Sequence, residues 1–150
     1  MKKEDVRFFT YLGIVVAVVI IVAFFLTTGD PDLSFGRSVF YGLIKGDESV
    51  KKAIDWDSLK ALGVEVGANY SKLPPGREKE QYKKAFIINC GLGFQSISTV
   101  SGSFVNWRLR RSDNQIAVVA ADSVGGSTLL LTISKKDKKR KLISIDWEKK

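Results

Sequence analysis

The chain has 150 residues, 24 Lys+Arg against 16 Asp+Glu, no His, one Cys and a mean hydropathy of zero. Without His and with a single Cys, Ser-His-Asp and Cys-His catalysis and most zinc sites are excluded, and so is an intrachain disulfide. The zero hydropathy averages two unlike parts: 17 of the 67 apolar residues fall in the 19 positions 8–26, and the other 131 positions hold 50.

Between Arg7 and Asp30 the sequence FFTYLGIVVAVVIIVAFFLTTG carries no charge. At about 1.5 Å per residue, residues 8–26 span roughly 29 Å, the thickness of a bilayer's hydrocarbon core. A single span must satisfy its backbone internally, so it is predicted to be a helix. Lys2, Lys3 and Arg7 precede it and Asp30 and Asp32 follow it. The positive-inside rule therefore predicts a cytoplasmic N-terminus (1–7), a transmembrane helix (8–28), a linker (29–33) and an extracytoplasmic domain (34–150). The expected location is the cytoplasmic membrane. The competing reading is a cleaved signal peptide, whose apolar region runs about 7–15 residues and ends in a small-x-small site. This segment is longer, and Thr27-Thr28-Gly29 matches such a site poorly.

After the linker, Phe35, Val39, Phe40, Leu43 and Ile44 share one helical stripe. Asp32 or Ser34 is placed to cap that helix and Gly46 to end it. Residues 47–63 predict a shorter helical stretch with Val50, Ile54 and Trp56 on its apolar side. Residues 64–76, with Pro74-Pro75-Gly76, predict irregular structure. A third helix is expected from about Arg77 to Asn89 or a little beyond, with Tyr82, Phe86, Cys90 and Phe94 recurring every four residues. The period then changes to two. Strands are expected at 104–111, 115–122, 128–134 and 141–147, separated by short turns, which predicts an antiparallel meander. Helices first and sheet afterwards is the α+β pattern: two or three helices packed on about four antiparallel strands.

The stretches LIKGDESVKKAIDWDSL, EQYKKAFI and LTISKKDKKRKLISIDW carry a resemblance to the nuclear transport factor 2-like (cystatin-like) superfamily. The first is similar to that superfamily's first-helix exit, an apolar helix ending in Gly-Asp and followed by a helix with a second acidic step. The resemblance covers about 110 residues and implies a curved sheet with a cone-shaped pocket between sheet and helices. Such a pocket serves as an enzyme site in some members and as a packed or partner-binding cavity in others. Enzymatic members place Asp, Tyr or His there; here His is absent, and Asp55 and Asp57 beside Trp56 read as capping or solvated carboxylates. No catalytic, metal or cofactor residue is assigned.

Three constellations remain. The run Lys135, Lys136, Asp137, Lys138, Lys139, Arg140, Lys141 at a hairpin tip suits an anionic lipid, a cell-wall polymer or an acidic partner, and suits equally a solvated turn that guards the sheet. Nucleic acid is not expected, because this loop is predicted outside the cell membrane. Arg108 and Arg110 share a strand face opposite Trp107, with Arg111 beside them and Leu130 and Thr132 on the same outer face. The strand 115–122 is apolar on both sides, which points to an outer face covered by a second copy or another protein. Trp56, Tyr82, Phe86, Cys90, Trp107 and Trp147 line either the pocket or the core. The reading is thus a membrane-anchored binding or assembly module without catalytic activity; the alternative is a small-molecule binder or enzyme using the cone-shaped pocket.

Overall fold

A computed structural model describes residues 29–97 and 104–148. The expected span at 8–28 lies outside the described residues, and among those described no helix is long and apolar enough to cross a membrane. In chain order come α1 (Pro31–Ile44), a 3-10 turn (Glu48–Ala53), β1 (Lys60–Ala61), α2 (Val66–Ser71) and α3 (Arg77–Ile97). β2 (Val105–Ser112), β3 (Ile116–Asp122), β4 (Thr128–Ser134), a second 3-10 turn (Lys136–Lys138) and β5 (Lys141–Glu148) follow. The strands form one sheet in the order β1-β5-β4-β3-β2.

β2 to β5 are the expected antiparallel meander. The sheet as a whole is mixed and five-stranded, because β1 adds to its edge parallel to β5, with Lys60 opposite Ser144 and Ala61 opposite Ile145. Two further expectations need correcting. The second predicted helix is only a six-residue 3-10 helix, opened by the Asp47 carboxylate accepting from the Ser49 N–H at 2.8 Å, after which the chain turns into β1. The stretch 64–76 is not wholly irregular: α2 forms within it.

α1 ends where its sequence signals an end. Gly46 is left-handed (φ 66°), its N–H donates to the Leu43 carbonyl at 3.0 Å, and the Asp47 N–H donates to Gly42 at 2.9 Å. Those two bonds satisfy carbonyls that a helix end otherwise leaves open. α3 runs on through Gly91 and Gly93, past its expected end. Gly91 is there for space, since a Cβ would lie 2.8 Å from the Leu43 carbonyl oxygen, at the end of α1.

The core lies between the helices and one sheet face. Ala117, Val119, Ala121, Leu129, Leu131 and Ile133 are fully buried in strict alternation along β3 and β4. Against them α1 sets Val39, Phe40 and Leu43, and α3 sets Ile87 and Phe94. Gly36 marks the close approach of α1: a Cβ there would sit 3.2 Å from both Ile133 and Val119 side chains. Phe40 is the hub, edge-on to Phe94 (4.9 Å) and Phe104 (4.8 Å) and tilted on Trp107 (5.7 Å).

Two departures from alternation matter for the outer face. β2 carries register shifts between Val105 and Arg108 and between Leu109 and Arg111, and at the first Asn106 is left-handed (φ 54°). A third, facing β5, pairs Thr132 with Ser144 but Ile133 with Leu142, so Ile143 is the extra residue. Leu142 and Ile145 are therefore the buried residues of β5, and Ile143, which simple alternation with Ile145 would bury, is only half-buried.

Candidate functional site

An apolar cleft of about 510 Å³ lies between α3, the β1–α2 segment and β5. Its α3 wall is Tyr82, Ala85, Phe86, Asn89, Cys90 and Phe94. These positions recur at three- and four-residue spacing, so one helix face supplies them all. Ala61, Leu62, Val64 and Val66 form the opposite wall and Ile145 contributes from β5.

That opposite wall is a two-residue turn. Ala61 N–H donates to Val64 O at 3.0 Å and Val64 N–H returns a bond to Ala61 O at 2.9 Å. Both central residues, Leu62 (φ 53°) and Gly63 (φ 82°), are left-handed, the requirement of the tight hairpin turn that matches strand twist. Gly meets this freely, whereas a γ-branched Leu is strained there by roughly 1–2 kcal/mol. The Leu62 N–H also donates to Ile145 O at 2.9 Å, which ties the turn to β5. Leu62 (49% exposed) and Val64 (53%) thus stand at the rim of the cleft as large exposed apolar side chains.

The polar groups in the cleft are few. Tyr82 Oη donates to the Val66 carbonyl at 3.4 Å, and Asn89 contributes an amide. Burial pushes the Cys90 thiol up to about 12, so it is a neutral, weakly nucleophilic group at physiological pH. Such a lining favours an apolar occupant with one or two hydrogen-bonding atoms.

Of the six aromatic or thiol candidates, Tyr82, Phe86 and Cys90 line the cleft. Trp107 and Trp147 belong instead to the aromatic cluster around Phe40, Phe94 and Phe104. Trp56 is buried, edge-on to Phe86, with its indole N–H donating to Lys51 O at 3.0 Å. With Asp55, Asp57 and Tyr70 it borders a second recess of about 370 Å³, next to the basic hairpin. Asp57 there accepts from Ser71 Oγ at 3.3 Å.

The basic hairpin divides into two sets. Asp32 was expected as a helix cap; in the structure its carboxylate is 5% exposed and faces the hairpin. It accepts from Arg140 Nε at 2.6 Å, Lys135 Nζ at 3.0 Å and Ser112 Oγ at 2.9 Å. Burial pushes the Asp32 pKa up, and the bonds from Arg140, Lys135 and Ser112 outweigh it and hold the carboxyl below its ordinary value. Lys141 Nζ reaches the Lys52 carbonyl oxygen. Lys136, Lys138 and Lys139 are exposed, and among the described residues they pair with no acidic side chain.

On the outer sheet face the second β2 bulge gathers what plain alternation would separate. Arg108 pairs opposite Ala120 and Arg111 opposite Val118, so both share a face with Leu130 and Thr132. Arg110 Nη1 lies 2.5 Å from Glu148 and Arg111 pairs with Asp113 at 2.9 Å. Arg108 grips Asp122 with two bonds of 3.0 and 3.1 Å. Bonds from Arg108, Thr128 and Asn106 hold the Asp122 carboxyl well down, at about 2. The apolar residues of this face are less open than alternation implied: Val118, Leu130 and Ile116 are half-buried and Ala120 is fully buried. Gly91-Leu92-Gly93 lies inside α3 and Gly125-Gly126 in the β3–β4 turn.

Leu62 and Val64 are the site residues that sequence reasoning missed. The available signal was Leu-Gly between apolar Ala61 and Val64, a two-residue hairpin with an unusual first residue. Asp32's role had no local signal at all. No protein-family model, no curated protein and no solved structure matches this chain.

Proposed function

We propose that the chain is a single-pass membrane-anchored binding module. Residues 8–28 form the anchor, and the α+β domain holds an apolar group in the cleft on the extracytoplasmic side. The observation that carries the binding claim is the 510 Å³ cleft, with Leu62 held in a strained backbone conformation at its rim. An exposed leucine in a left-handed turn costs stability, and such outliers concentrate where a ligand or partner uses them. The domain is read as a nuclear transport factor 2-like member; support comes from the order of helices before an antiparallel meander and from a cavity between helix and sheet. The occupant is an apolar moiety, presented by a partner protein or by a small molecule. The anchor acts by confinement: it raises the domain's effective concentration for anything else in the membrane.

A second reading has its own support. The second β2 bulge places Arg108 and Arg111, rather than Arg108 and Arg110, on the face of half-buried Val118 and Leu130, an arrangement suited to the rim of a protein contact or a homodimer.

The cleft is tested with the full chain reconstituted in lipid nanodiscs and titrated with the apolar dye 1-aminoanthracene. At ten times its Kd, a ligand bound only by the folded state adds about 1.4 kcal/mol of stability. Thermal unfolding should shift upward saturably, and Ala85→Trp, which fills the cleft, should abolish the shift. Equal shifts in both proteins would rule out the cleft as the binding site.

A further inference from the structure

We infer that Lys136, Lys138 and Lys139 form a contact for anionic lipid headgroups, held toward the bilayer by Asp32. This rests on the reading of residues 8–28 as a membrane anchor. Asp32 lies six residues beyond Leu26, the last residue of the apolar run. At 3.3–3.6 Å per residue the chain reaches at most about 20 Å from the one to the other. Whatever Asp32 holds is therefore tied to a point within that distance of the end of the apolar run.

What it holds is the basic hairpin. Lys135 and Arg140, at the two ends of the loop, both close on the Asp32 carboxylate, and the Lys135 N–H donates to Gln115 O at 2.8 Å. The loop is thereby fixed at four points of contact with α1, β2 and the β2–β3 turn when the Ser112 hydroxyl is included. Its tip turns through two consecutive left-handed residues, Asp137 (φ 55°) and Lys138 (φ 59°). The division of labour is clear. Lys135 and Arg140 are engaged internally, and the three lysines between them are exposed and free of acidic partners among the described residues.

Charge at this end of the domain favours an anionic surface. Around the hairpin, Arg111, Lys52 and the six basic residues of 135–141 outnumber Asp32, Asp55, Asp57, Asp113 and Asp137. Attraction of lysine to an anionic leaflet acts over about a Debye length, roughly 8–10 Å, so it needs a loop kept close to the bilayer. The tether, with its reach of about 20 Å, allows that approach, and the clamp keeps the loop that carries the lysines on Asp32. A cell-wall polymer or an acidic protein would not require the lysines at the membrane-proximal end. The bilayer is the partner that this position selects.

The test is amine acylation of the full chain in nanodiscs of phosphatidylcholine alone or with phosphatidylglycerol, read residue by residue by mass spectrometry. Lys45 is the internal control, since it is exposed and follows the far end of α1. Acylation of Lys136, Lys138 and Lys139 should slow about fivefold in the anionic discs at low salt, recover in 0.5 M NaCl, and leave Lys45 unchanged. Equal rates in both discs, with the chain still resisting alkaline extraction, would overturn the lipid contact and leave the anchor standing. Slowing that is the same in neutral discs or insensitive to salt would overturn it as well. Loss of the chain from the discs at alkaline pH would overturn the anchor, and the lipid contact with it.

Discussion

Replacing Asp32 by alanine should be among the most costly polar substitutions in the domain. The carboxylate accepts three bonds, from Arg140, Lys135 and Ser112, and is 5% exposed. A hydrogen bond to a charged group contributes about 1.5–3 kcal/mol, and breaking a buried ion pair costs about 3–5. Those figures must be discounted here. Lys135 and Arg140 are 19% and 36% exposed and regain water when the carboxylate goes. Lys135 also keeps its 2.8 Å bond to Ser112 Oγ. The net loss is about 2 kcal/mol, or roughly 6–10 °C in the unfolding midpoint for a domain of this size. Thermal unfolding of the full chain, followed by near-ultraviolet circular dichroism, measures it. In a double-mutant cycle with Arg140→Gln, the coupling should be about 1–2 kcal/mol at neutral pH. Because the folded-state pKa of Asp32 lies below its ordinary value, this stabilisation is present above the unfolded pKa and fades as pH falls through the folded one. A loss under 0.5 kcal/mol, or no coupling to Arg140, would refute the clamp.

Leu62→Asn should raise stability by about 0.5–1 kcal/mol, because Asn tolerates the left-handed turn, while weakening 1-aminoanthracene binding. Stability and binding moving in the same direction would detach Leu62 from the cleft's function. Asp122, held at about 2 by Arg108, Thr128 and Asn106, should contribute stability above pH 4 that is lost progressively toward pH 2. The acid unfolding curve of Asp122→Asn should lack that step, and identical curves would contradict the assignment. Arg110→Glu breaks the Glu148 pair and reverses charge at the β2 bulge. Chemical crosslinking in membranes should then show less self-association than wild type; unchanged association removes the second functional reading.

Much of the fold was legible because local pattern and tertiary demand agree. Leu129, Leu131 and Ile133 alternate in the sequence and all three are buried, while Phe35, Val39, Phe40 and Leu43 are a helical stripe and pack as one. The failures lie where the deciding information sits in another segment. Ile143 and Ile145 alternate in the sequence, yet with a bulge opposite Thr132 and Ile133 the buried residues are Leu142 and Ile145. β1 is two residues long and exists only because β5 offers it a parallel edge. Gly91 reads as a helix breaker until α1 is seen passing beside it. For the candidate site, the α3 wall was visible as the four-residue recurrence of Tyr82, Phe86 and Cys90. Its opposite wall was not, since turn chemistry predicts Asn or Gly where Leu62 stands. Asp32 was invisible as a clamp because its partners are 103 and 108 residues away.

The central claim, a tethered domain that binds through the α3 cleft, is tested most directly by photocrosslinking in living cells. A benzophenone amino acid is placed at Leu62, on the rim of the cleft, or at Val124, which is 66% exposed in the β3–β4 turn. The account predicts a discrete adduct from position 62 that is absent from position 124 and lost when Ala85→Trp fills the cleft. Adducts of equal yield from both positions, or an adduct from position 62 that survives Ala85→Trp, would contradict it.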